Sequence, residues 1–166
     1  MFLVAINFSL YIPFMQELIK QKLYKLELTK NVRVLYACES GSRAWGFESP
    51  DSDYDVRFIY ARPREFYLRL NEGRDVIEWQ LDELLDINGW DLKKTLQLAY
   101  KSNPVLYEWF RSPIVYKDSE AAHMIREAIA PYYKLKSSVY HYLHMASGNY
   151  RRELEGRAEV KHKKYF

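Results

Sequence analysis

The sequence predicts an α+β protein, a mixed sheet flanked by helices and followed by an all-helical C-terminal part. Three observations carry this. An amphipathic helical period precedes two short β-branched strands, two further short strand signals follow, and from residue 91 onward the chain reads as helix after helix. With 166 residues, 48% of them hydrophobic, the chain fits one ordinary domain with a buried core.

The elements follow in order. Residues 15–28 predict a helix, with Leu18, Ile19, Leu23 and Leu26 on one face and Lys20, Lys22 and Lys25 between them. Residues 32–38 are a strand that ends at Ser40, Gly41 and Ser42. Residues 42–45 leave room for a helical turn, and 49–52 form a turn cluster. Residues 54–60 are a second strand. A short helix over 64–72 and strands over 75–81 and 85–88 come next. Asp91 caps a helix to about residue 101, Asn103 and Pro104 stop it and start another to 111, and Asp118 and Ser119 cap a third to about 130. Pro131 opens a long helix that breaks near Gly148. The expected division is an extension over 1–14, poorly ordered, a core over 15–101, and a helical region over 102–166.

Composition narrows the function. Cys38 is the single cysteine, so no internal disulfide forms and a reduced, cytoplasmic setting is expected. No run of 18 apolar residues exists to span a membrane. The apolar start lacks the basic region and cleavage site of a signal peptide. The net charge is +3, and the surplus resides in residues 151–166, which carry six basic and three acidic side chains. The body is therefore no basic clamp for nucleic acid, although the tail can touch a polyanion.

The chemistry concentrates between residues 41 and 57. Asp53, Asp55 and Arg57 share one face of the second strand, because strand side chains alternate. Two carboxylates about 6.6 Å apart along a strand repel each other unless a cation lies between them. Hard divalent ions, Mg²⁺ or Mn²⁺, suit that pair, since such ions take few carboxylates plus phosphate oxygens. Gly41 allows close backbone approach, the Ser42 hydroxyl and nearby N–H groups can face a phosphate, and Arg43 adds charge. A calcium-loop reading of Asp51, Asp53 and Asp55 fails. Val56 stands where glycine is needed and Arg62 where a bidentate glutamate is needed.

Other residues read as structure. Cys38 is a small core residue with no histidine partner in the sequence. His141 and His144 have ligand spacing but lack a third ligand. Trp109, Phe110, Tyr133 and Tyr140 read as helix packing rather than a base-stacking platform. Lys93 and Lys94 open a helix near the site on a solvated face.

Gly41-Ser42, a spacer, then Asp53-Tyr54-Asp55-Val56 resembles the signature of the DNA polymerase β nucleotidyltransferase superfamily. More narrowly, the blocks 37–47, 55–58, 86–92 and 102–106 are similar to the YcgL/RlaP-type predicted nucleotidyltransferases, over roughly residue 15 to the C-terminus. The resemblance implies a nucleotidyltransferase-type mixed sheet, a divalent metal, a nucleoside triphosphate such as ATP, and a link to RNA repair. Relatives usually continue past residues 161–166, so the chain looks shortened within a basic helix. The superfamily uses a third carboxylate on a neighbouring strand. Of the candidates Glu78, Asp82, Asp86 and Asp91, Asp86 is the choice, as catalytic residue and metal ligand, and Glu78 the alternative; Asp91 suits a helix cap better.

The expectation is a metal-dependent transfer of a nucleoside monophosphate to a hydroxyl, an RNA end favoured, with release of pyrophosphate. Asp53, Asp55 and Asp86 would be catalytic and bind metal, while Gly41, Ser42 and Arg43 would bind the nucleotide. Transfer of AMP to a protein hydroxyl, and nucleotide binding without turnover, are the alternatives.

Overall fold

The structure is a computed structural model that describes residues 8–49, 52–71, 73–80 and 84–156. A five-stranded mixed sheet forms the middle layer. Its strands are β1 (Arg33–Glu39), β2 (Tyr54–Ala61), β3 (Val76–Gln80), β4 (Leu85–Asp91) and β5 (Val115–Asp118), in spatial order β3-β4-β2-β1-β5. Every pair is antiparallel except β2 and β4, which run parallel in continuous register from Tyr54 opposite Leu85 to Tyr60 opposite Asp91.

Helices cover both faces. The long helix α1 (Phe8–Lys30) lies on one, burying Met15, Ile19, Leu23 and Leu26 against Val34, Val56, Phe58, Tyr60 and Ile87. On the other face pack α4 (Leu92–Tyr100), α5 (Pro104–Arg111) and α6 (Glu120–Ile129). Ala99, Leu106, Trp109, Ala122 and Ile125 there meet Leu35, Tyr36, Cys38 and Ile59. A register shift between Val34 and Tyr36 turns both Leu35 and Tyr36 to this second face. Short helices α2 (Gly41–Trp45) and α3 (Arg64–Tyr67) follow β1 and β2, and α7 (Leu135–Asn149) closes the described part with a five-residue π-turn after it.

The caps fall where the sequence places them. Asp91, Asn103 and Ser119 side chains accept from Lys93, Val105 and Ala122 N–H, so helices α4, α5 and α6 start there.

Three expectations need correction. The C-terminal part is not all helix, because β5 adds to the sheet edge beside β1. Four residues hemmed by Pro113 and Ser119, two of them charged, give a weak strand signal, and pairing with β1 decides the matter. Helix α1 starts at Phe8, not near residue 15, and runs through Pro13; residues 1–7 lie outside the described residues. Pro131 sits in a 3₁₀ turn (Ala130–Tyr132), and the long helix opens only at Leu135. The basic segment 161–166 also lies outside the described residues. No described helix is long and apolar enough to cross a membrane.

Candidate active site

The site forms where β1 ends and where β2 and β4 begin. Parallel register sets Asp55 directly beside Asp86. One guanidinium nitrogen bridges them: Arg57 Nη2 lies 2.8 Å from Asp55 Oδ1 and 2.9 Å from Asp86 Oδ2. Arg57 also donates to the carbonyl oxygens of Val56 and Asp86. Desolvation raises the Asp55 carboxyl above its usual range. Arg57 opposes that shift, and the neighbouring charges of Asp53 and Asp86 add to it.

Asp86 is thus the carboxylate that the sheet brings to Asp55. Glu78 is not brought there. It pairs in register with Asn88, further along β4, and its side chain is 65% exposed, within 3.8 Å of Arg74. Asp53 is exposed just ahead of β2. Asp91 is buried at the far end of β4 as a cap, where it also accepts from the Tyr67 hydroxyl at 3.0 Å. Lys94 sits at that same far end, paired with Asp75 at 3.1 Å, and Lys93 is beside it, so neither opens a helix near the carboxylates.

Gly41 starts α2 with φ +60, a conformation in which L side chains are strained. A Cβ on Gly41 would also collide with Asp55 Oδ2. The glycine therefore lets the turn lie directly against the Asp55 carboxylate. Gly46, also at positive φ, closes the helix. Arg43 is committed to the loop before β2: Nε donates to the Asp53 carbonyl at 3.0 Å, Nη2 to the Ser52 carbonyl at 2.5 Å, and the guanidinium lies 3.9 Å from the Tyr54 ring centre. It fixes the backbone that carries Asp53.

Glu39 is the residue that sequence reading missed. It is 1% exposed at the end of β1. Its Oε1 accepts from the Asp55 backbone N–H at 2.7 Å, and its Oε2 accepts from the Tyr116 hydroxyl of β5. The Ser40 N–H donates to the Asp55 carbonyl at 2.8 Å, so both backbone groups of Asp55 are held from β1. Burial pushes the Glu39 carboxyl up to about 7 despite those hydrogen bonds. The available signal was a carboxylate closing an otherwise apolar strand just before the Gly-Ser turn.

The core readings of Cys38 and Trp109 hold, whereas Tyr140 of α7 is 54% exposed and Tyr133 lines an open cleft. Cys38 is fully buried, and burial pushes its thiol up to about 12. Trp109 is 3% exposed and stacks on Trp90 with centroids 3.8 Å apart.

Among the described residues no three carboxylate, thiol or imidazole groups form a ready cage for a metal. The donor chemistry nonetheless fits a hard divalent cation. Mg²⁺ is usually held by one or two carboxylates plus substrate phosphates rather than by an all-protein cage. Two carboxylates side by side, currently neutralised by Arg57, offer that partial shell.

Residues 15–166 match the family model described as RlaP, the RNA repair pathway DNA polymerase beta family. The chain is 50% identical over 153 residues to a Bacillus subtilis (strain 168) protein named "Uncharacterized protein YcgL", covering 92% of this chain. It spans 58% of the length of that relative. With the family model matched across the sheet, the Gly41 turn and the paired aspartates, the chain belongs to the RlaP family of RNA repair pathway DNA polymerase β-type proteins.

Proposed function

We propose that this protein is a divalent-metal-dependent nucleotidyltransferase that moves a nucleoside monophosphate from a nucleoside triphosphate to a hydroxyl acceptor. The observation that carries the reading is the in-register pairing of Asp55 with Asp86 directly against the Gly41 turn. Membership of a family described by RNA repair and DNA polymerase β favours an RNA end as acceptor, and ATP is the donor we propose.

Asp53, Asp55 and Asp86 would hold Mg²⁺ or Mn²⁺, which when bound would activate the attacking hydroxyl and offset charge on the pyrophosphate. The chain's own contribution is positioning. Gly41 and Ser42 give the triphosphate a backbone surface without side-chain obstruction. Arg43 holds the Asp53 loop, and Glu39 and Ser40 fix the Asp55 backbone. Arg57 bridges Asp55 and Asp86 and offsets the repulsion between the two side chains.

Arg57 also favours a second reading. A guanidinium bridging both carboxylates competes with a metal for them, which favours nucleotide binding without turnover. One assay separates the two. Each of the four α-labelled ribonucleoside triphosphates is incubated with Mg²⁺ or Mn²⁺, mixed RNA and lysate, beside Asp53→Asn and Asp55→Asn proteins. Label on RNA, lost in both variants, is the expected result. Label on protein instead moves the acceptor to a protein hydroxyl. Triphosphate bound with no label transferred supports the binding module, and full transfer by Asp55→Asn sinks the site.

A further inference from the structure

A cleft of about 280 Å³ opens beside the Gly41 turn. Ser40 and Trp45 line it from the turn itself, Tyr107 from α5, Tyr133 from the link before α7, and Ser138 and Tyr142 from α7. The rings are held in place. Tyr107 and Tyr133 meet edge to face with centroids 4.9 Å apart. The Tyr107 hydroxyl donates to the Ile129 carbonyl at 3.1 Å, and the Tyr142 hydroxyl donates to Glu108. Those hydroxyls are spent on the protein, so these two residues offer the cleft their rings. Trp45 is 58% exposed, so its ring is open to a ligand at the cleft.

Ser138 points independently to a ligand. It is 6% exposed, and its hydroxyl oxygen is buried without a hydrogen-bond partner. A serine inside a helix usually bonds back to the carbonyl four residues earlier. Here that carbonyl, of Lys134, takes the N–H groups of Ser137 and Ser138 instead. A buried hydroxyl left open beside an aromatic cleft calls for an explanation.

We propose that this cleft receives the planar heteroaromatic base of the donor nucleotide and that the Ser138 hydroxyl selects among bases. The inference rests on the nucleotidyltransferase reading. Size supports it: the cleft falls just under the roughly 300–1,000 Å³ of drug-sized sites, which suits one base with its sugar and phosphates outside. Position supports it too, because Ser40 and Trp45 flank the proposed phosphate turn. Stacking on rings tolerates any base, since every base has a π-face. Discrimination then falls to Ser138, the buried hydroxyl of the lining that is left open.

The test is calorimetric titration of the whole chain with ATP, GTP, CTP and UTP in Mg²⁺, and with inorganic tripolyphosphate as a base-free probe. One triphosphate should bind about 5-fold tighter than the rest, the scale of one hydrogen bond. Ser138→Ala should collapse that ranking, Ser138→Thr should retain it, and Trp45→Ala should bring all four down toward tripolyphosphate. Triphosphates that bind no tighter than tripolyphosphate, show no ranking, or keep their ranking in Ser138→Ala overturn the proposal while the phosphate site stands. No binding by any of the five probes overturns the nucleotidyltransferase reading itself. Short RNAs ranked by their 3′-terminal base, with the ranking lost in Ser138→Ala and the triphosphates unaffected, would assign the cleft to the acceptor and overturn the donor assignment.

Discussion

Glu39 and Asp55 lie on neighbouring strands and share a hydrogen bond, yet the fold treats their carboxyl groups in opposite ways. Glu39 is sealed off, its oxygens taken by a backbone N–H and a tyrosine hydroxyl, and burial pushes it up to about 7. Asp55 keeps 22% of its side chain exposed and faces the Arg57 guanidinium, which opposes the upward pull of burial. A carboxyl that approaches neutrality among neutral partners works as a clamp. A carboxylate left partly exposed beside a displaceable cation is placed to act as a ligand. The first serves the second: Glu39 fixes the backbone from which the Asp55 side chain projects.

Breaking the ligand half should have the largest effect. In Gly41→Ala the residue would sit at φ +60, costing roughly 1–2 kcal/mol, and its Cβ would push Asp55 Oδ2 aside. Nucleotidyl transfer should fall on the order of 10²-fold, the scale of losing one preorganised electrostatic group. The melting temperature should fall by only a few degrees. Parallel assays of transfer and thermal melting check this, and a variant that transfers normally would show that the turn need not touch Asp55.

Sharpening the clamp half is a matter of pH. The Glu39 carboxyl goes from its ordinary 4.5 to about 7 on folding, so the native state holds its proton more tightly than the unfolded chain. Its contribution to stability is fully present below about 4.5 and is lost as pH rises through about 7. The difference amounts to on the order of 3 kcal/mol. Urea unfolding of wild type minus Glu39→Gln, measured from pH 4.5 to 8, should show this decline. A flat difference would mean that Glu39 stays ionised in the fold.

Arg57 joins the two halves, and removing it should tell cation from clamp. Arg57→Gln abolishes the ion pairs to Asp55 and Asp86, leaving two carboxylates side by side. Partly exposed pairs of this kind are worth roughly 0.2–1 kcal/mol each. Mg²⁺ should therefore bind about 3- to 10-fold tighter in the variant, as read by calorimetry. Unchanged or weaker Mg²⁺ binding would make Arg57 a part of the site rather than a stand-in for its metal.

The contrast also explains what the sequence could reveal. Asp53, Asp55 and the Gly41 turn were legible because carboxylates are poor strand formers and positive φ wants glycine, both local rules. Asp86 required a neighbouring strand, and only parallel register separates it from Glu78. Arg57 was visible on the right face, but not the bridge it makes. Glu39 depends on Tyr116, 77 residues away on a strand too short and polar to announce itself. Ser138 and Trp45 come together only through the packing of α7 near α2. Local chemistry is written in the chain, whereas partners across the sheet are decided by register and packing.

The smallest effect belongs far from both carboxyls, and it sets the baseline for the others. Asn103 accepts from the Val105 N–H at 3.0 Å and caps α5 ahead of Pro104. Its block is among those that resemble the family, so a ligand role competes with a structural one. The geometry is that of a cap, since the side-chain oxygen is turned to its own helix. Asn103→Ala should then cost about 1 kcal/mol, a melting shift of roughly 2–4 °C. The four-triphosphate ranking and the Mg²⁺ affinity should not move. A loss of nucleotide binding without that melting shift would place Asn103 in contact with the substrate and extend the site to the start of α5.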